Sequence, residues 1–117
     1  QRTPRQLKNF ALKTTASLRQ DAESNSSILE IITPDRPGLL AHLTQIFVRF
    51  ELRVLNAKIS TLGERVEDIF YLTDNNFEPL SDDKLSAALT KAIATELDQR
   101  NEEEGQEYKL RKMKVWN

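Results

Sequence analysis

The sequence predicts an α+β domain, and three stretches carry that prediction. Ile28, Leu29, Ile31 and Ile32 make a short apolar, β-branched run, the pattern of a central strand over 28–33. Leu39, Leu43, Ile46, Phe47 and Phe50 recur at helical spacing and form one apolar stripe, which sets a helix over 37–50. Two alternating stretches, 52–61 and 65–73, flank Leu62-Gly63-Glu64 and read as strands joined by a tight turn. At 117 residues the chain has room for one domain with a modest core.

The remaining elements follow in order. Residues 1–10 are basic and interrupted by Pro4; they read as a linker from a preceding domain, with Leu7 and Phe10 placed to dock on a neighbour, or as a frayed terminus. The start lacks an initiator Met, so the chain is expected to be part of a larger protein. In 11–19, Leu12, Thr14, Ala16 and Leu18 share one parity, which suits a half-buried edge strand. The polar run Gln20 to Ser27 reads as a mobile hairpin loop. In the hairpin, Leu55, Ala57 and Ile59 share a parity against Val54, Asn56, Lys58 and Ser60; Val66, Phe70 and Leu72, with Asp68 among them, alternate with Ile69 and Tyr71. Both faces of the sheet are therefore partly apolar, and the face without helices is expected to meet a partner. Residues 74–80 read as a loop. Ser81 is the expected cap of a second helix, with Asp82 and Asp83 in its first turn and Leu85, Ala88, Leu89, Ala92, Ile93 and Leu97 as its buried stripe. That helix is expected to fade after Leu97, leaving 98–117 as a polar and then basic tail.

The most chemically loaded stretch is Thr33-Pro34-Asp35-Arg36-Pro37-Gly38-Leu39-Leu40, between the central strand and the first helix. Asp35 can cap free amides, Pro37 suits the first helical position, and Gly38, lacking a Cβ, lets a backbone or ligand approach. A helix start with unpaired N–H groups and an acid beside it can seat a zwitterion, the amides taking a carboxylate and Asp35 an ammonium. A plain, well-capped strand-to-helix turn explains the same residues.

Asp35-Arg36-Pro37-Gly38-Leu39-Leu40 after a strand resembles the turn of ACT domains, small regulatory modules that bind amino acids. Asn56-Ala57-Lys58-Ile59-Ser60-Thr61-Leu62-Gly63-Glu64-Arg65-Val66-Glu67-Asp68, with Pro4-Arg5-Gln6-Leu7-Lys8-Asn9-Phe10, resembles the C-terminal end of the bifunctional uridylyltransferase/uridylyl-removing enzymes of bacterial nitrogen control. The likeness covers roughly residues 2 to 97. It implies a ferredoxin-like fold: a four-stranded antiparallel sheet with two helices on one face. ACT domains run βαββαβ, whereas this chain supplies α, β, β and α after strand 28–33, with no final strand in 98–107. The resemblance therefore implies a permuted ββαββα order, with 11–19 filling the edge beside 28–33. Tyr108 to Trp116 is the competing occupant of that edge.

For the site, the resemblance implies a ligand pocket at Asp35, Arg36, Pro37, Gly38 and Leu39, with Asn56 supplied across a pair of ACT units. It implies that the larger enzyme adds uridylyl groups to the signal protein P-II with one domain and removes them with a metal-dependent hydrolase domain. Mg2+ is the expected metal of that enzyme, and glutamine sensed by its ACT domains sets the balance. Expected partners are glutamine, the neighbouring ACT and catalytic domains, P-II through the whole enzyme, and a second copy of this segment.

The segment itself is expected to catalyse nothing. Asp35, Glu64, Glu67 and Asp68 have no spacing for paired acid–base work; Arg65, Glu67 and Asp68 read as surface charge pairing; Gly38 and Gly63 are isolated, so no phosphate loop is present. His42, the only histidine, falls on the polar face with Gln45 and Arg49, away from any ligand-spaced partner, so no metal site is expected. A net charge of −1 and a pI near 5.9 argue against binding nucleic acid by bulk positive charge. The lack of cysteine fits a reducing cytoplasm, and no apolar run is long enough to span a membrane. Two other functions remain open on sequence: a structural ACT unit that pairs domains without a ligand, and a ferredoxin-like RNA binder, which would need exposed aromatics on the central strands.

Overall fold

A computed structural model describes residues 12–115. The expected linker, 1–10, lies outside the described residues. Strands β1 (Thr15–Asp21), β2 (Ser26–Pro34), β3 (Arg53–Leu62) and β4 (Arg65–Thr73) are joined by helices α1 (Leu39–Arg49) and α2 (Asp83–Val115) in the order ββαββα. The sheet runs β1-β2-β4-β3, antiparallel throughout. The edge beside β2 is filled by the N-terminal hairpin, Thr15 facing Ile32 and Asp21 facing Ser26. The competing segment, Tyr108 to Trp116, is helical up to Val115.

Hydrophobic burial holds the layers together. Leu29 and Ile31 of β2 and Val66, Phe70 and Leu72 of β4 meet Leu39, Leu43, Ile46 and Phe47 of α1 and Leu89, Ile93 and Leu97 of α2. All of these are buried, and Phe47 packs edge-on to Phe70 with ring centroids 5.1 Å apart. The opposite face is not bare: Ile28 is buried, and Ile32, Ile69 and Tyr71 are half-buried. The exposed apolar surface instead gathers on β3, where every residue is exposed, including Val54, Leu55, Ile59 and Leu62. A bulge between Val54 and Asn56 breaks the simple alternation of that strand.

Three expectations are corrected. The hairpin loop shrinks from 20–27 to 22–25, because its polar residues are strand residues with partners. The buried Ser27 hydroxyl donates to Gln20 Oε1 (2.9 Å) and accepts the Leu80 N–H (2.8 Å), while Gln20 Nε2 donates to the Leu80 carbonyl (2.7 Å). Asn25 makes the tight reversal at φ 51°, a left-handed conformation that Asn tolerates. The cap of α2 is Asp82 rather than Ser81, its Oδ1 accepting the Lys84 N–H at 2.9 Å. Finally, α2 does not fade at Leu97 but continues to Val115, about 50 Å in all. Asn101 is drawn in as a buried polar anchor, and Arg100 pairs with Glu103 and Glu104 one turn on. Gly105 weakens the helix by only about 1 kcal/mol, too little to end a run of good helix formers.

Ser27→Ala removes the acceptor of a buried N–H. It is expected to cost about 1–3 kcal/mol, read as a fall in the thermal unfolding midpoint of at least several degrees.

Candidate functional site

The strand-to-helix turn opens a cleft of about 270 Å³ between α1 and the β3–β4 hairpin. Asp35, Arg36, Gly38, Leu39, Leu40 and Ala41 form one wall; Ile59 and Thr61 of β3 and Val66 and Asp68 of β4 form the other. The volume sits just below the usual range for small-molecule sites, which suits a small ligand.

Gly38 is the residue on which the turn depends. It caps α1 at φ 78°, ψ 7°, and a Cβ added there would meet nothing within 4 Å. The glycine is therefore required by backbone conformation and not, as the sequence suggests, by close approach. Asp35 does not cap the helix, and Pro37 stands before the cap instead of at the first helical position. No side chain caps α1 and its first turn holds no acid. The amides of Leu39, Leu40 and Ala41 thus have neither an intrahelical acceptor nor a capping oxygen, and all three residues line the cleft. Asp35, exposed at the mouth, fixes the turn to the hairpin through its N–H to the Glu64 carbonyl, 3.1 Å.

Arg36 does something the sequence does not suggest. Only 6% exposed, its guanidinium turns under α2: Nε donates to Asn101 Oδ1 (2.9 Å), Nη1 to the Pro37 carbonyl (3.3 Å) and Nη2 to His42 Nδ1 (2.8 Å). Burial, reinforced by nearby Arg100, lowers its pKa from the ordinary arginine value. Since arginine only donates, His42 Nδ1 is the acceptor, which leaves Nε2 to face Glu96 at 3.5 Å. His42 is therefore a bracket between α1 and α2, not a residue of the outer face. Asn101 Nδ2 also reaches Thr33 Oγ1 (3.4 Å), itself paired with Thr14 Oγ1 (2.7 Å).

Asp68 is the residue that sequence reasoning missed. Arg65 and Glu67 do form a surface ion pair at 2.8 Å, but Asp68 is 1% exposed and neither carboxylate oxygen meets a hydrogen-bond partner. Its cross-strand neighbours are Ile31 and Ile59, and Val66 and Phe70 flank it along β4. Burial pushes its carboxyl up from the ordinary carboxylate value; the Asp35 charge adds to this and the nearby Ser60 amide opposes it. The legible signal was its parity, shared with Val66, Phe70 and Leu72.

Of the six residues expected at the site, the cleft gathers Asp35, Arg36, Gly38 and Leu39, with the Arg36 guanidinium engaged elsewhere. Pro37 does not line it. Asn56 pairs with Tyr71 on the opposite face of the sheet and bonds the Ala57 N–H through its own Oδ1. Within one chain it does not reach the cleft. Among the described residues no group of three or more His, Asp or Glu is placed to hold a metal ion, and no helix is long and apolar enough to cross a membrane. No exposed aromatic stands on the central strands: Phe70 is buried under the helices and Tyr71 half-buried on the other face.

Residues 22–100 match the family model described as the ACR family N-terminal ACT domain. Among curated proteins, the chain is similar to the bifunctional uridylyltransferase/uridylyl-removing enzyme of Stutzerimonas stutzeri strain A1501, 53% identical over 103 residues, covering 88% of this chain and 11% of that protein. The protein of the same name from Azotobacter vinelandii strain DJ is 55% identical over 96 residues, 82% of this chain and 11% of its own length. That from Pseudomonas syringae pv. tomato is 49% identical over 104 residues, 89% of this chain and 12% of its own. The chain thus spans only about a ninth of the length of these relatives.

Two outcomes test the geometry. Asn101→Ala strips the buried Arg36 Nε of its acceptor and is expected to lower stability by about 1–3 kcal/mol in thermal denaturation. Asp68→Asn is expected to raise the melting temperature at pH 7, because the wild-type carboxyl is harder to ionise folded than unfolded. Between the ordinary aspartate value and the raised one, the folded state holds more protons, so wild-type stability falls as pH rises through that window. The advantage of Asn should therefore shrink as melting is repeated toward pH 4; a difference that does not change with pH would contradict it.

Proposed function

The chain belongs to the ACT domain family, and from that premise we propose that it is an amino-acid-sensing regulatory unit of a bifunctional uridylyltransferase/uridylyl-removing enzyme, with glutamine as the ligand. The observation that carries this reading is the cleft at the start of α1, where three uncapped amides face a buried acid across a small, partly apolar gap. Amides at a helix N-terminus suit a carboxylate, and a cleft of this size suits a free amino acid better than a peptide or nucleotide. In this reading the catalytic chemistry, its Mg2+ and the encounter with P-II belong to other domains of a longer enzyme. Names of the relatives and the family resemblance support that assignment; the pocket chemistry supports an amino acid in general.

Regulation follows from differential affinity. A ligand held between this unit and a neighbouring ACT domain shifts the enzyme only by binding one domain arrangement better than another. A coupling of ~1–3 kcal/mol is typical. The neighbour's natural seat is β3, an edge strand exposed along its whole length with Val54, Leu55, Ile59 and Leu62 uncovered. Ile59 belongs both to that uncovered edge and to the wall of the cleft, so a neighbour there would help close the pocket. The same edge also suits a unit that pairs domains and binds nothing.

Calorimetry with glutamine on the full-length enzyme separates the two. Saturable binding is expected, weakened by Gly38→Ala, whose strained left-handed backbone re-aims the first amides of α1. Binding indifferent to Gly38→Ala and to Asp35→Ala would remove this turn from the pocket. No amino acid binding at all would favour the pairing role.

A further inference from the structure

We infer that Asp68 is the cation-accepting group of the cleft, so that its ligand is a zwitterion whose primary ammonium reaches β4 while its carboxylate meets the amides opening α1. This deepens the reading of the cleft as an amino-acid pocket and rests on it.

An ionisable side chain with 1% exposure and two unpartnered oxygens is rare, because buried polar groups in folded proteins are almost always hydrogen-bonded. The Ser60 amide comes near but makes no hydrogen bond of proper geometry, and the other neighbours are apolar. The residues facing it across the sheet are Ile31 and Ile59, and those beside it on the same face are Val66 and Phe70. Among the described residues, the nearby basic side chains are committed or directed elsewhere: Arg36 to Asn101 and His42, Arg65 to Glu67, and Lys58 over the Tyr71 ring on the far face. Asp68 lines the cleft.

At the other side of that cleft stand the amides of Leu39, Leu40 and Ala41, donors without a capping oxygen. The two walls are complementary to opposite charges: donors and the positive helix end on one, a carboxylate on the other. A free α-amino acid presents those charges two bonds apart on either side of one carbon. Leu39, Leu40, Ile59 and Val66 then line the space left for its side chain. Asp35, at the exposed mouth, is screened by solvent and contributes less than the buried acid.

The test uses the full-length enzyme carrying this domain, wild type and with Asp68→Asn or Asp35→Asn, titrated calorimetrically with a panel of free amino acids including glutamine. Two analogues of glutamine accompany it: the des-amino acid glutaramate, and 4-aminobutanamide, which lacks the carboxylate. Wild type should bind glutamine roughly tenfold or more tightly than either analogue. Asp68→Asn should lower glutamine affinity to about that of glutaramate while leaving glutaramate unweakened, and Asp35→Asn should change glutamine binding by a smaller factor. Equal loss of glutamine and glutaramate in Asp68→Asn, or no loss of glutamine, overturns the assignment of the ammonium to Asp68 while the pocket stands. Failure of the wild-type enzyme to bind any amino acid overturns the pocket and this inference together. Melting of each variant confirms folding, and Asp68→Asn is the variant expected to gain stability.

Discussion

A guanidinium with no carboxylate in ion-pair contact among the described residues, folded under a helix 65 residues away in sequence, decides where the turn after β2 can sit. Arg36 must find acceptors or stay in water, and the ones it finds are Asn101 on α2, His42 on α1 and the carbonyl of Pro37. Each is uncharged, so the arrangement trades Coulomb attraction for a dense set of directed bonds. Because those bonds join three elements, the start of α1 cannot shift without disturbing α2. Glu96 extends the bracket by facing His42 and pairing with Arg49 at the far end of α1. The uncapped amides of α1 are thereby held in place without any side chain spent on capping them.

The same economy shapes β2. Its helix-side row runs Ser27, Leu29, Ile31, Thr33: apolar in the middle, hydroxyl-bearing at both ends. Ser27 ties the strand to the loop entering α2, and Thr33 ties it to Thr14 and Asn101. The two ends of the strand are thus anchored by hydrogen bonds while the centre is anchored by burial, which fixes register more firmly than either alone. Asp68, level with Ile31 on β4, is the exception in that middle layer, a charged group where the pattern calls for an aliphatic one. Positions where local rules are broken at a cost are where function concentrates.

Periodicity made most of the fold legible. The stripe of α1, the parity of β4 and the change from strand to helix between Thr33 and Leu39 all follow from which residues are apolar, although the helix begins two residues later than its expected start at Pro37. The order ββαββα followed from counting elements against a known topology. What periodicity could not reveal were polar residues with distant partners. Gln20 and Ser27 read as loop because their bonds to Leu80 cross more than fifty residues. Asn101 read as part of the polar tail because its reason for staying helical, the buried Arg36, lies on another element. Asp68 read as surface because it follows two residues that are; only its alternation with Val66 and Phe70 marked it otherwise. Asn56 kept its strand but faces away from the cleft, since the bulge at Leu55 and the pairing with Tyr71 set its direction.

The bare rim of the sheet has a consequence for the company this chain keeps. Among the described residues no strand pairs with the outer edge of β3, and its ten residues include neither proline nor an acid. The strand's two formal charges, Arg53 and Lys58, have the same sign. An identical copy laid alongside in a register that sets these side chains opposite one another would bring positive against positive, whereas a strand placing glutamates or aspartates there would pair with them. The charge along this margin therefore favours an acidic neighbour over a basic one.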